Sequence, residues 1–108
     1  MAGMVRHRTE AEAVERKAAD LATLLRALAN ARRLRILCRL IESGEMTVRT
    51  LADAVGLSQS ALSQHLSKMR DEGIVACRRE GQTIWYRIAD RRIEQLYLAL
   101  DALFCRAR

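Results

Sequence analysis

At 108 residues the chain has room for one domain, near the lower limit at which a single hydrophobic core is stable unaided, so self-association is one way of completing it. Half the residues are hydrophobic, only 4% are aromatic and there is no proline, a composition expected of a mainly helical protein with aliphatic packing, while the formal net charge of +6 favours a polyanionic partner. No apolar run approaches the ~20 residues that span a bilayer and the N-terminus has no signal-peptide core, so a cytoplasmic protein with no membrane partner is expected; three cysteines in a reducing compartment exclude a structural disulfide framework.

Residues 1–8 are basic and aperiodic and read as a flexible arm ahead of a single domain over residues 9–108. From about Glu10, Val14, Ala18, Leu21, Leu25 and Leu28 recur every three or four residues, which predicts an amphipathic helix ending near Ala29, its apolar arc widened by Ala11, Ala22 and Leu24. Asn30 is placed to cap a second helix, ARRLRILCRLIES, with Leu34, Leu37, Cys38 and Ile41 on its inward face and Ser43-Gly44 closing it.

The stretch Met46 to Gly73 reads as a helix-turn-helix. Leu51, Ala52 and Val55 form the apolar side of a short helix and Gly56 stands where a C-cap glycine would. Ser58 is the expected N-cap of the next helix, whose buried stripe is Ala61, Leu62, Leu66 and Met69. Its opposite face carries Ser60, Ser63, Gln64 and Ser67, short hydrogen-bonding side chains where an ordinary solvated face would carry Lys and Glu pairs. Such a face suits the base edges of a duplex major groove. His65, at the edge of the stripe, is expected to hold a hydrogen-bonded structural role.

Ile74 to Ile88 splits into two alternating runs around Glu80-Gly81, which predicts a β-hairpin with Ile84, Tyr86 and Ile88 on one face. Its tip carries Arg78, Arg79, Gln82 and Thr83, cations and amides able to reach phosphates or the minor groove. A hairpin directly after a recognition helix is a wing. The expected DNA contacts are therefore Gln59, Ser60, Ser63 and Gln64 for sequence, Lys68 and Arg79 for the backbone, and Gln82 at the wing.

Asp90 should cap a last helix, RRIEQLYLALDALFCRAR, whose apolar residues do not keep to one side. Ile93, Tyr97, Leu100 and Phe104 make one stripe; Leu98, Ala102 and Cys105 lie roughly 100° round. One small domain cannot cover both, so the terminal helices are expected to pack on those of a second copy, presenting two recognition helices about 34 Å apart to operator DNA. The fold expected is mainly α with a β-hairpin wing, a winged helix-turn-helix of four helices, two strands and a fifth helix.

The run LRALANARRLRILCRL, the segment GLSQSALSQHLSKMRDEGIV and the wing RREGQTIWYRI together resemble the ArsR/SmtB family of bacterial repressors over about residues 10–105. The resemblance implies a winged helix-turn-helix homodimer released from its operator by an inducer, commonly a metal ion. Where metal-sensing members carry a Cys-Val-Cys element, this chain has EMTVRTL, with Thr47 and Arg49 in place of soft ligands, and the last helix has no histidine. No metal and no cofactor is therefore expected.

Within the family the chain resembles the subgroup that senses persulfides or oxidants through one cysteine in the second helix and one near the end of the last. Cys38 and Cys105 match those positions, so the resemblance implies that they are the sensor thiols and that reactive sulfur or an oxidant links them by a disulfide or polysulfide. Arg35, Arg39 and Arg106 are near in sequence and are expected to lower a thiolate pKa. Cys77 lies outside the pattern. The alternatives are a metal- or metalloid-responsive repressor and a non-specific DNA-binding protein without an inducer; an enzyme using Cys38 is set aside because no histidine stands next to it in sequence.

Overall fold

Short polar side chains and glycines set where the helices begin and end. The computed structural model describes residues 2–106, with side chains described within residues 9–103. The elements in order are α1 (Ala2–Leu28), α2 (Ala31–Ser43), β1 (Met46–Thr47), α3 (Val48–Val55), α4 (Gln59–Asp71), β2 (Val75–Glu80), β3 (Thr83–Ile88) and α5 (Arg91–Arg106). Asn30 Oδ1 accepts from the backbone N–H groups of Arg32 and Arg33 at 2.9 and 3.2 Å, and Ser58 Oγ accepts from that of Ala61 at 3.1 Å, so both expected N-caps occupy donors that a helix start leaves unpaired. Gly56 takes the left-handed conformation (φ 72°), which turns the chain sharply from α3 into α4.

Five helices and the wing match the expectation, and β1 adds a strand that was not anticipated. Two residues are too short for alternation to register, yet Met46 pairs with Tyr86 and Thr47 with Trp85, giving an antiparallel sheet in the order β1-β3-β2. Thr47, singled out in the sequence only for lacking a thiol, also caps α3 by accepting from the Thr50 N–H at 3.2 Å. The helix-turn-helix and wing therefore share a hydrogen-bonded backbone.

The core sits between α2, α3, α4 and the sheet. Leu51, Ala52 and Val55 of α3, and Leu62, Leu66 and Met69 of α4, are buried as their spacing requires. On α2 the inward face is centred differently from the expectation: Ile36, Leu37 and Leu40 are fully buried, while Leu34, Cys38 and Ile41 are half-buried. The reason is that α2 packs on α3 and β3 together, so its arc is set by two neighbours. Cys38 lies at the margin of the core and not inside it.

The terminal helices behave otherwise. The apolar periodicity marks a start near Glu10, whereas α1 begins at Ala2; the expected basic arm falls on residues 1–8, whose side chains lie outside the described set. Among the described residues of α1 the C-terminal end enters the core, through Ala27 and Leu28, while Val14, Leu21 and Leu25 stand at 66%, 50% and 53% exposure. On α5, Ile93 is buried, Leu96 and Tyr97 are half-buried, and Leu98, Leu100 and Leu103 face outward. The radius of gyration is 17.6 Å, against about 13 Å for a compact chain of this length, because α1 projects.

Candidate DNA-reading face and thiol site

With Leu62, Leu66 and Met69 packed inward, α4 turns Ser60, Ser63, Gln64, Ser67 and Lys68 to solvent along one open groove that ends at Asp71. Gln59, in the first turn, is exposed as well. Every side chain assigned to base or backbone contact on this helix is thus accessible, on a face free of apolar residues. His65 is half-buried beside Asn30, Arg33, Gln64 and Lys68, and its imidazole makes no hydrogen bond among the described residues, so the hydrogen-bonded role expected of it is not seen.

On the wing, Arg78 and Arg79 point to opposite faces of β2, and their environments diverge. Arg78 makes two hydrogen bonds to the Glu45 carboxylate, each 2.8 Å, and a third to Glu80 at 2.9 Å, and its guanidinium stacks 5.3 Å from the centre of the Trp85 ring. The guanidinium holds the Glu45 carboxyl below the usual carboxylate range. Arg78 therefore braces the wing against the residue preceding β1, with its guanidinium engaged by two carboxylates. Arg79 and Gln82 remain exposed. Arg49, at the start of α3, shares a hollow with Gln82 and Thr83, adding a cation that sequence reasoning had considered only as a missing metal ligand.

At the opposite side, α2 and α5 meet at Cys38. The Tyr97 hydroxyl donates to Cys38 Sγ at 2.8 Å, and the thiol donates to Glu42 Oε1 at 3.3 Å. Burial pushes the Cys38 thiol above its ordinary value, Tyr97 pulls it back, and Glu42 and Asp101 push it further up. Tyr97 is pushed up to about 12, chiefly by its bond to Cys38. The expected cationic activation is not what surrounds the sulfur. Arg35 donates to the Val55 carbonyl at 3.2 Å, Arg39 pairs with Glu42 at 3.5 Å, and the Arg106 side chain lies outside the described residues.

A hollow of about 380 Å³ with mostly apolar walls opens beside Cys38, lined by Leu34, Arg35, Arg39, Ala54, Val55 and Tyr97. The side chain of Cys105, the expected partner thiol, lies outside the described residues. Cys77 is half-buried on β2 and its sulfur accepts from Arg70 at 3.5 Å. Among the described residues no group of three or more His, Cys, Asp or Glu is placed to hold a metal ion, and no helix is long and apolar enough to cross a membrane.

Residues 30–76, from the Asn30 cap through the start of the wing, match the profile of the family "Bacterial regulatory protein, arsR family". The transcriptional activator HlyU of Vibrio cholerae is 42% identical over 94 residues, covering 87% of this chain and 86% of HlyU. The chain belongs to the ArsR family. Solved structures of transcriptional regulators supply the likeness of fold too. The crystal structure of the transcriptional repressor BigR from Xylella fastidiosa superposes with a TM-score of 0.78 at 39% identity, covering 87% of this chain and 95% of that one. The homodimeric winged helix-turn-helix DNA-binding domain Mb0332 from Mycobacterium bovis gives 0.70 at 38% identity, covering 82% and 83%. This ArsR-family chain is thus a DNA-binding transcriptional regulator, and its relatives include both an activator and a repressor.

Proposed function

We propose that the protein is a homodimeric repressor that reads operator DNA with α4 and the wing and is released when Cys38 and Cys105 are linked through sulfur. The observation that carries this reading is the position of Cys38 at the contact between α2, which packs on α3, and α5, which carries uncovered apolar residues. A bond formed there acts on the dimerising helix and the reading domain together. The dimer is supported by the exposed apolar residues of α1 and α5 and by the homodimeric relative Mb0332.

The chemistry balances without an added oxidant when the donor is an organic persulfide. Cys38 thiolate attacks the outer sulfur of R–S–SH, the donor S–S bond breaks, and R–S⁻ leaves and takes up the thiol proton. Cys105 thiolate then attacks Cys38 Sγ and expels HS⁻, leaving a disulfide. A direct bridge needs Cα atoms about 4.4–6.8 Å apart, and inserted sulfur relaxes that window by about 2.05 Å per atom.

Coupling between such sites is typically about 1–3 kcal/mol, or roughly 5- to 150-fold in affinity. The test titrates wild type, Cys38→Ser, Cys105→Ser and Cys77→Ser onto DNA selected from a random pool, before and after an organic persulfide. Loss of the response in the first two variants and its retention in Cys77→Ser is the expected result; a response that survives Cys38→Ser overturns the pair.

A further inference from the structure

Deprotonating Cys38 is the step its surroundings make hardest. Facing the sulfur are Glu42 from α2 and Tyr97 and Asp101 from α5; the two carboxylates disfavour a thiolate, as does burial. Among the described residues the nearby cations are directed elsewhere, Arg35 to the Val55 carbonyl and Arg39 to Glu42. Among those residues the Tyr97 hydroxyl is the group aimed at the sulfur that favours its charged form, and it reaches across 59 residues of sequence to do so.

We propose that Tyr97 is the positioning residue of Cys38: from α5 its hydroxyl fixes the sulfur on α2 and supports the thiolate through which that sulfur reacts. This rests on the reading of Cys38 as the reactive thiol. Two features of the geometry separate the role from packing. The ring is only half-buried, so the hydroxyl does not need the sulfur to satisfy it; water would serve. The second feature is direction. The thiol donates to Glu42 while accepting from Tyr97, so the proton already points along its exit when the sulfur attacks. In the reaction with R–S–SH a bond forms between Sγ and the outer sulfur as the donor S–S bond breaks, the thiol proton goes to the leaving R–S⁻, and the tyrosine proton stays on its oxygen. Tyr97, held up to about 12, remains a donor at neutral pH.

The test uses the full chain with Cys77→Ser and Cys105→Ser, leaving Cys38 as the sole thiol, and follows its alkylation by iodoacetamide from pH 6 to 10. Tyr97→Phe keeps the ring and deletes the donor, so the rate–pH profile moves to higher pH, with alkylation at pH 7.5 roughly tenfold slower. Deleting an atom beside the sulfur opens access, so a role in packing alone would make the reaction faster. Glu42→Gln removes a charge that opposes the thiolate and moves the profile the other way. A Tyr97→Phe profile that superposes on its parent, or moves to lower pH, overturns the proposal, as does a shift of both variants in one direction. Failure of the Cys38 reading appears separately, as persulfide release of DNA that survives Cys38→Ser.

Discussion

The reading domain and the terminal helices are stabilised in opposite ways. Around α3 and α4 the inward side chains, Leu51, Leu62, Leu66 and Met69, have no exposed area, and the surrounding segments are tied by the Arg78–Glu45 and Arg33–Glu72 bridges. On α1 and α5, beyond the few residues that reach the core, Val14, Leu21, Leu25, Leu98, Leu100 and Leu103 face water, up to 66% at Val14 and 63% at Leu103. Fully burying one Leu or Val is worth about 1.5–3 kcal/mol, so one region is complete within a single chain while the other holds that stabilisation in reserve for whatever covers it. The difference teaches where concentration enters. Stability from the first region is intrinsic to the chain; stability from the second requires a partner.

Breaking the intrinsic region gives the largest effect. Leu66→Ala leaves a cavity in a fully packed site and is expected to cost about 2–5 kcal/mol in urea unfolding, with wild type and variant compared at several protein concentrations. Leu98→Glu and Leu25→Glu should instead abolish the dependence of unfolding on concentration and lower the molar mass seen by light scattering. A wild-type chain that stays monomeric at every concentration removes the basis for the contrast.

A smaller effect separates the two kinds of DNA contact within the reading domain. Gln64→Ala is expected to relax discrimination at one base pair by about 1–3 kcal/mol, whereas Arg79→Ala weakens all sequences alike and reduces the salt slope by about one. Binding titrations on operator and random duplex at several salt concentrations measure both. Equal losses on the two DNAs for both variants would show that the roles are wrongly divided.

The smallest effect concerns the Arg33–Glu72 bridge. Arg33 holds the Glu72 carboxyl below the ordinary value, so its contribution is fully present above the unfolded value, about 4.3, and is lost as pH falls through the depressed folded one. With the Glu72 side chain 40% exposed, solvent screening limits the gain to under about 1 kcal/mol. Glu72→Gln should therefore cost about a few tenths of a kcal/mol at pH 7, and its unfolding curve should converge on that of wild type as pH falls below the depressed folded value.

What was legible beforehand follows from the range of each interaction. Asn30, Gly56 and Ser58 act on backbone within four residues of themselves, and the α4 stripe repeats within two turns, so local spacing was enough to find them. The pairing of β1 was hidden because two residues carry no period. Arg78 and Arg79 are adjacent and alike in sequence; only the fold brings Glu45 to one of them. The same holds at the thiol, where the neighbours suggested by proximity along the chain, Arg35 and Arg39, gave way to Tyr97 from another helix. A tyrosine on a half-apolar stripe offers no local signal of a sulfur partner.

The bridge from Arg78 to Glu45, with β1 paired to β3, ties the wing to the segment that leads into α3, and α3 and β2 both pack on α4. For a protein that contacts DNA with α4 and the wing, as proposed above, whatever that tie holds fixed must be matched by adjustment of the duplex. Smoothly bending a site of 20–30 base pairs by 40–90° costs of order 1–6 kcal/mol, and less at flexible pyrimidine–purine steps than in stiff A-tracts. Base pairs lying between the two contacts, touched by no side chain, would then be selected for how easily they deform.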